Sequence, residues 1–287
     1  MVALTNSQGV RFPAAAQNYN PPPIDNAGYI TTLSRWSSGI DTRWADQFLY
    51  HAKYSMMEIR ESKTFNKDSQ LWEIQDFWWT ENDSIGWSSC SDSSTQIDEI
   101  LPLIPNKRVA IQAGGNGGIW PIKLAKSFDN VITFEPGATM FECLTKNIEL
   151  HAVTNITAYH AALSDTSGTL SINVHNPENL GASWIVERII HDINHDEVNA
   201  ETVTAMRLDD LSLEHCDLIQ LDAEGYEMFI LQGANELINK FKPAIMLEIN
   251  DVCTAYGFSN DDVQNYMTSF GYNIAMTLEN NVLFVAN

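Results

Sequence analysis

The sequence has few basic residues for its length. Lys and Arg number 16 against 37 Asp and Glu in 287 residues, which gives a formal net charge of −21. Proteins that hold nucleic acid normally present a basic stripe to the phosphates, and this sequence contains no comparable cluster of Lys and Arg. We therefore expect no nucleic-acid partner.

Cysteine is also scarce, and its spacing excludes two kinds of site. Cys90, Cys143, Cys216 and Cys253 are far apart and form no C-x-x-C pair, so neither a zinc module nor a disulfide framework is predicted. We expect buried or half-buried thiols in a reducing compartment.

The sequence has no run of 18 apolar residues, so no membrane span is predicted. The first residues also lack the basic and then apolar stretches of a signal peptide. These absences predict a cytoplasmic protein with no membrane partner. Hydrophobic residues make up 44% of the chain, enough for a sizeable core.

The composition changes near residue 100, and we predict an N-terminal extension (1–100) followed by a main domain (101–287). Apolar spacing from Arg43 to Ile59 predicts an amphipathic helix. The aromatic stretch from Leu71 to Trp79 suits a ligand-binding face, but more often closes a core between an extension and its domain. A Ser- and Asp-rich linker is expected from Cys90 to Thr95.

The main domain alternates strand and helix patterns, which predicts an α/β fold with a mostly parallel sheet. A C-terminal hairpin adds antiparallel strands. Strands are predicted at 108–113, 131–134, 156–161, 217–221, 244–249, 272–278 and 282–285, and helices at 119–128, 138–150, 227–240 and 259–270. Two inserted strands, at 169–174 and 202–208, flank a polar loop.

A glycine-rich turn follows the first strand of this domain. Gly114, Gly115, Gly117 and Gly118 let the backbone approach a ligand closely, and the helix that follows offers free N–H groups. In open α/β sheets, ligands bind at the carboxyl ends of the strands. A plain tight turn explains the same glycines.

Two acidic residues at later strand ends fit an adenosine ligand. Glu135 lies 20 residues after Gly115, where a carboxylate accepts both ribose hydroxyls in nicotinamide dehydrogenases and in methyltransferases alike. Asp165 can accept from an adenine amine. A solvated Glu before Pro136 and an ordinary turn at Ser164 and Asp165 are the alternatives.

Three further carboxylates end two buried strands. Asp222 and Glu224 follow one strand and Glu248 ends the next, and such groups are costly to bury unless they are used or paired. They would orient an acceptor hydroxyl, take its proton or hold a divalent cation, although no complete metal site is predicted. Glu224 alternatively caps the following helix.

Taken together, these motifs resemble the FkbM family of S-adenosylmethionine-dependent methyltransferases. The resemblance covers roughly residues 105–275. The matching segments are Ile111–Gly118, Thr133–Pro136, Ala162–Asp165, Leu208–Leu211, Leu221–Glu227, Leu231–Ala234 and Pro243–Glu248.

The resemblance implies a Rossmann-like class I methyltransferase fold with a seven-stranded sheet, and O-methylation of sugars or natural products. It implies that the glycine turn holds the methionine end of the cofactor, with Glu135 at the ribose and Asp165 at the adenine. The cofactor-binding residues it implies are Gln112, Ala113, Gly114, Gly115, Asn116, Gly117, Glu135, Pro136, Ser164, Asp165 and Asp222.

The sequence departs from the family pattern at two positions. Gln112 replaces the usual Asp, which implies weaker cofactor affinity, and Gln220 replaces the usual Lys. Without that Lys, Asp222 and Glu224 should repel each other, and one of them should have a raised pKa. The glycine turn with its following Trp-Pro also resembles predicted methyltransferases of tailed bacteriophages, which would work in the host cytoplasm.

The candidate catalytic bases are Asp222, Glu224, Glu248 and His160, with His191 as a weaker choice. His191 and His195 have the spacing of a metal pair on a helix, but a surface feature is expected because no third ligand is evident. The loop from 174 to 199 is the expected acceptor lid.

The expected acceptor is a neutral glycan or a small hydroxylated molecule, and a homodimer is compatible with the sequence. Two rival functions stay open. One is a nicotinamide-dependent oxidoreductase, and the other is a non-catalytic binding subunit that keeps the fold, which Gln112 and Gln220 motivate.

Overall fold

The computed structural model describes residues 57–66, 71–81, 83–176, 178–190, 200–279 and 281–287. The residues before Met57, and with them most of the helix predicted from Arg43, lie outside the described residues, as do His191 and His195. No helix in the described ranges is long and apolar enough to cross a membrane.

The strands and helices follow one another in an α/β pattern. The strands are β1 (Met57–Asn66), β2 (Leu71–Thr80), β3 (Val109–Ala113), β4 (Asn130–Phe134), β5 (Ile156–Tyr159), β6 (Ala162–Leu163), β7 (Gly168–Asn176), β8 (Asn179–Ile185), β9 (Ala200–Met206), β10 (Leu218–Leu221), β11 (Ala244–Glu248), β12 (Tyr272–Leu278) and β13 (Asn281–Ala286). The helices are α1 (Ser84–Ser93), α2 (Gln96–Ile100), α3 (Ile119–Ala125), α4 (Ala138–Leu150), α5 (Glu227–Gln232), α6 (Asn235–Phe241) and α7 (Asn260–Ser269).

Seven strands form the central sheet, in the order β12-β13-β11-β10-β3-β4-β5. β3, β4, β5, β10 and β11 pair in parallel, and β13 pairs antiparallel with both β11 and β12. The mostly parallel sheet and its C-terminal hairpin are therefore confirmed. The chain leaves β3 toward β4 on one side and later returns to β10 on the other. This is the switch point at which open α/β sheets bind ligands.

The helix predicted over 227–240 is two helices, α5 and α6. The break falls at Gly233 and Ala234. A side chain at Gly233 would place its Cβ 2.1 Å from the carbonyl oxygen of Ser164. The chain therefore packs backbone against backbone here, and a continuous helix with a larger residue would not fit.

The N-terminal residues differ from the prediction in two places. Residues 57–59 belong to β1 rather than to a helix, because β1 and β2 pair as an antiparallel hairpin. The Ser-rich stretch after Cys90 completes α1 rather than forming a linker. Asp83 caps this helix by accepting from the N–H of Gly86 at 2.9 Å, and Ser94 donates back to the carbonyl of Ser91 at 2.9 Å.

The insertion is a second sheet, in the order β6-β9-β7-β8. β7 and β9 pair antiparallel, which confirms the predicted pair of strands. The prediction of a polar loop between them is wrong for Asn179–Ile185, which form β8. Leu180 and Ile185 are buried and fix this strand against the domain. The described part of the insertion is thus a sheet.

Candidate active site

The site begins at the switch point, where the turn after β3 meets the loop after β10. Gly114 has φ of 78° in the left-handed region. A Cβ at this position would lie 2.0 Å from the carbonyl oxygen of Asp222. Glycine is therefore required by both its φ and this close approach.

The backbone N–H groups of residues 114–118 all donate within the protein. Residues 114–118 therefore offer no free N–H group, and the helix that was expected to offer them, α3, begins only at Ile119. The bonds run from Gly114 and Gly115 to the Phe134 carbonyl (3.0 and 2.9 Å), from Asn116 to Glu135 (2.7 Å), from Gly117 to the Asn116 side chain (2.8 Å) and from Gly118 to the Gly115 carbonyl (2.9 Å).

Glu135 is buried at the end of β4 and is held by two backbone donors. Its Oε2 accepts from the N–H of Asn116 and its Oε1 from the N–H of Gly137, each at 2.7 Å. An ionised carboxylate has about four acceptor positions, so one position on each oxygen is left for a ligand. Burial raises the pKa of Glu135 to about 7, although the two N–H donors oppose this shift.

Two cavities lie at this end of the sheet and share Gly114, Glu135, Gly181, Asp222 and Glu224 as lining residues. The first, of about 520 Å³, is largely apolar and reaches Phe134, Leu163, Ile185 and Ile230. The second, of about 640 Å³, is polar and includes Asn116, Asn179 and Glu248.

The polar cavity has a strongly acidic wall. Asp222, Glu224 and Glu248 line it together with Glu135, and no Lys, Arg or His is among its described lining residues. Burial raises the pKa of Asp222 well above its usual value, and repulsion from Glu248 and Glu224 adds to the shift. Burial raises the pKa of Glu224 to about 7, with Glu248 adding to it.

The loop after β10 presents Glu224 through a strained backbone. Glu224 has φ of 52° and Gly225 has φ of 87°, so two successive residues are left-handed. Glu227 holds this loop by accepting from the N–H groups of Ala223 (2.8 Å) and Gly225 (3.4 Å). Burial raises the pKa of Glu227 to about 8. No motif in the sequence indicated this role of Glu227.

Gln112 lies beneath the glycine turn and does not line either cavity. Its amide group donates to the carbonyls of Ala113 (3.0 Å) and Gly114 (2.8 Å), and its side-chain oxygen accepts from the hydroxyl of Thr133. The side chain therefore supports the turn from below. Ala113, Gly115 and Pro136, which the family resemblance implies as cofactor-binding residues, line the cavities.

Five predicted site residues do not line either cavity, namely Gln112, Gly117, Ser164, Asp165 and His160. Asp165 accepts from Arg188 at 3.0 and 3.3 Å, and the hydroxyl of Ser164 bonds to that of Tyr226 at 3.0 Å. His160 is exposed, with its Nε2 3.0 Å from the Pro136 carbonyl. Neither cavity counts these residues in its lining, although Tyr226 itself lines the apolar one.

Two walls of the polar cavity come from segments that the motifs did not indicate. Gly86, Ser89 and Cys90 of α1 line it, and Asn179 and Gly181 of β8 complete it. Strand β8 lies within residues 174–199, which were expected to form the acceptor lid. For α1 the sequence offered no signal.

All four cysteines are free; Cys90 is half-buried and the other three are buried, as expected. Within the described ranges, no group of three or more His, Cys, Asp or Glu side chains could hold a metal ion.

A seven-stranded sheet with one antiparallel strand, and a bipartite cavity at its switch point, define the Rossmann-like class I methyltransferase fold. Residues 121–274 match the family described as the methyltransferase FkbM domain. The match covers more than half of the 287 residues, and the chain belongs to this family.

Individual relatives are more distant. "Methyltransferase 1" of Beauveria bassiana (strain ARSEF 2860) is 25% identical over 48% of this chain, and "Methyltransferase sdnD" of Sordaria araneosa is 23% identical over 46%. Each match spans 62% of the relative's length, which is less than two thirds. The solved structure of methyltransferase FkbM from Methylobacillus flagellatus KT is 18% identical, with a TM-score of 0.45, covering 62% of this chain and 43% of its own.

Proposed function

We propose that the chain binds S-adenosylmethionine and transfers its methyl group to a hydroxyl of a glycan or small molecule. Glu135 is the observation that carries this proposal. Its carboxylate stands in the wall shared by both cavities, held by two N–H donors that leave one acceptor position on each oxygen. Two neighbouring ribose hydroxyls match these two positions.

The two cavities fit the two ends of this cofactor. The apolar cavity beside Phe134, Pro136 and Leu163 suits an adenine ring. The polar cavity suits the methionine end, because a sulfonium and an ammonium are favoured by the carboxylates of Asp222 and Glu224. Bound S-adenosylmethionine would supply an electrophilic methyl group here.

The acidic wall favours this cofactor over a dinucleotide. A pyrophosphate is normally held by free N–H groups at the start of the helix after such a turn, and Ile119 and Trp120 at the start of α3 line the polar cavity. The carboxylates of this cavity would repel a pyrophosphate. A nicotinamide-dependent function is therefore the weaker reading of the site.

Glu224 is the best candidate for the base. It lines both cavities, and burial with the nearby Glu248 brings its pKa to about 7. A general base works best when its pKa is close to the working pH. Asp222 and Glu248 would orient the acceptor hydroxyl beside it. Holding the acceptor in line with the methyl group supplies most of the acceleration.

The acidic wall also limits the acceptor. With no basic side chain among its described lining residues, the polar cavity disfavours phosphates and other anions. A neutral, hydroxyl-bearing acceptor is the proposed class, and nucleic acid is not.

Methyl transfer from labelled S-adenosylmethionine tests this proposal. The purified chain is incubated with fractionated glycans, small metabolites and RNA, and label is followed into each fraction. We expect label in a neutral fraction, its loss with Glu224→Gln, and its retention with Glu149→Gln, which alters an exposed carboxylate on α4. Label in RNA alone, or equal transfer by Glu224→Gln, would contradict the proposal.

A further inference from the structure

Trp79 of the N-terminal hairpin, which is formed by β1 and β2, packs against the glycine turn. A Cβ at Gly117 would lie 2.1 Å from the ring of Trp79. That ring is fully buried, and its Nε1 donates to the carbonyl of Asp83 at 3.1 Å. Gly117 is therefore glycine because Trp79 occupies the space beside it, and it does not line either cavity.

Asn147 of α4 joins the same two segments. Its side chain donates to the carbonyls of Gly117 (2.6 Å) and Trp78 (2.8 Å) and accepts from the N–H of Trp78 (2.6 Å). The Asn147 side chain that makes these three hydrogen bonds is fully buried. The peptide of Gly117 is thus held on one side by an aromatic ring and on the other by an amide.

Asn116, the residue before Gly117, connects this arrangement to the cofactor site. Asn116 has φ of 46°, a left-handed conformation that costs energy unless its surroundings enforce it. Its N–H donates to Oε2 of Glu135 at 2.7 Å. A shift of the Gly117 peptide would therefore move the donor that orients the Glu135 carboxylate.

The hairpin precedes the matched family region, which begins at residue 121. Its strand β2 is nonetheless packed into the domain, because Phe77 and Trp79 share a buried cluster with Ile119 and Met140. Helix α1 follows and lines the polar cavity with Gly86, Ser89 and Cys90. The Nε1 of Trp120 donates to the hydroxyl of Ser93 at 3.0 Å and fixes α1 beside α3.

We propose that the N-terminal hairpin is a working part of the cofactor site, with Trp79 and Asn147 as positioning residues that hold the glycine turn and, through Asn116, the carboxylate of Glu135. This inference rests on the proposed function, since it assigns the hairpin a role in binding S-adenosylmethionine. It extends the site to residues outside the matched family region.

A size exchange between Trp79 and Gly117 tests the inference. Binding of S-adenosylmethionine to the full chain is measured by titration calorimetry well below the melting temperature of each variant. Gly117→Ala and Trp79→Leu are each expected to weaken binding about tenfold, within the range for contacting residues. The double variant Trp79→Leu/Gly117→Ala should recover to within about threefold of the original affinity, because the new methyl group occupies the space that the ring leaves.

The neighbouring tryptophan supplies the matched control. Trp78 lies on the same strand, but its side chain faces the amino group of Lys146, 5.7 Å from the ring centre. Trp78→Leu should change the affinity less than about twofold. Circular dichroism and thermal melts establish folding, and Trp79→Phe replaces Trp79→Leu if the latter does not fold.

The outcomes separate the two claims. If the original chain does not bind S-adenosylmethionine, the proposed function fails and this inference fails with it. If the original chain binds and Trp79→Leu and Gly117→Ala bind equally well, only the inference is overturned. A lower melting temperature of Trp79→Leu with unchanged affinity would likewise mean that Trp79 has only a structural role. Recovery of affinity in the double variant would support the positioning role.

Discussion

Gln112 and Gln220 are register partners on the neighbouring parallel strands β3 and β10. The family resemblance implies Asp and Lys at these two positions, so the two departures it implies would be a single exchange of a pair of opposite charges for two amides. Gln112 uses both its donors and its acceptor, whereas the buried Oε1 of Gln220 has no hydrogen-bond partner among the described residues. The net charge beneath the turn is unchanged by the exchange.

This pairing predicts strong coupling between the two positions. Gln112→Asp or Gln220→Lys alone buries a charge without its partner and should destabilise the fold by about 3–5 kcal/mol. The double variant should be more stable than the sum of the two single changes predicts, by about 1–3 kcal/mol. Urea denaturation of all four proteins measures this coupling. Strict additivity would mean that the two side chains do not interact.

Removal of the Glu135 carboxylate should weaken cofactor binding. Glu135→Ala leaves the N–H groups of Asn116 and Gly137 without partners and removes the two free acceptor positions. We expect a loss of about 1–3 kcal/mol in the binding free energy of S-adenosylmethionine. Calorimetry measures it, with Glu149→Ala on the exposed face of α4 as the control. An unchanged dissociation constant would show that the ribose lies elsewhere.

The structure predicts the opposite for Asp165, which the family resemblance placed at the adenine. Its carboxylate is bound to Arg188 and lies outside the described cavity linings. Asp165→Asn should leave the affinity for S-adenosylmethionine within about threefold and cost no more than about 1 kcal/mol of stability, as for a partly exposed ion pair. A tenfold loss of affinity would restore the adenine role.

The buried carboxyls predict that stability falls as the pH rises. Burial raises the pKa of Glu135 and of Glu224 to about 7, that of Glu227 to about 8 and that of Asp83 to about 6. Between the unfolded values near 4 and these folded values, the folded chain binds more protons than the unfolded chain. The free energy of unfolding therefore decreases with pH across this window. Urea denaturation at pH 5.5 and at pH 8.5 measures this difference.

His151 opposes this decrease in stability with pH, and a Glu227 variant tests whether the buried carboxyls cause the decrease. Burial lowers the pKa of His151, so its contribution to stability rises with pH; a single such group is outweighed by several carboxyls. Glu227→Gln should reduce the decrease between pH 5.5 and 8.5, because the amide does not titrate. A stability that rises over this range in the original chain would contradict the assigned pKa directions.

The sequence predicted the main domain well because its elements have strong local signals. Helix α4 begins and ends at the predicted residues 138 and 150, and the central sheet follows the apolar runs. The acids at the ends of β10 and β11 were predicted to act on one acceptor hydroxyl or one cation, and Asp222, Glu224 and Glu248 line one cavity.

Other features depend on contacts between distant residues and were missed. The polar helix α1 has no clear apolar face, and its position depends on α3 and β8. Strand β8 needs its partner β7 to form. The glycine at 117 looked like a cofactor residue, but its neighbour is Trp79, which lies 38 residues earlier in the chain. Spacing along the chain cannot show whether a glycine is required by a bound cofactor or by a side chain packed against it.

Titration calorimetry with S-adenosylmethionine and with NAD tests the central claim most directly. We expect S-adenosylmethionine to bind at one site per chain and NAD to show no binding, because the acidic wall favours the cationic cofactor and repels a pyrophosphate. Binding of NAD without binding of S-adenosylmethionine would contradict the account. Binding of neither would favour a non-catalytic subunit that keeps the fold.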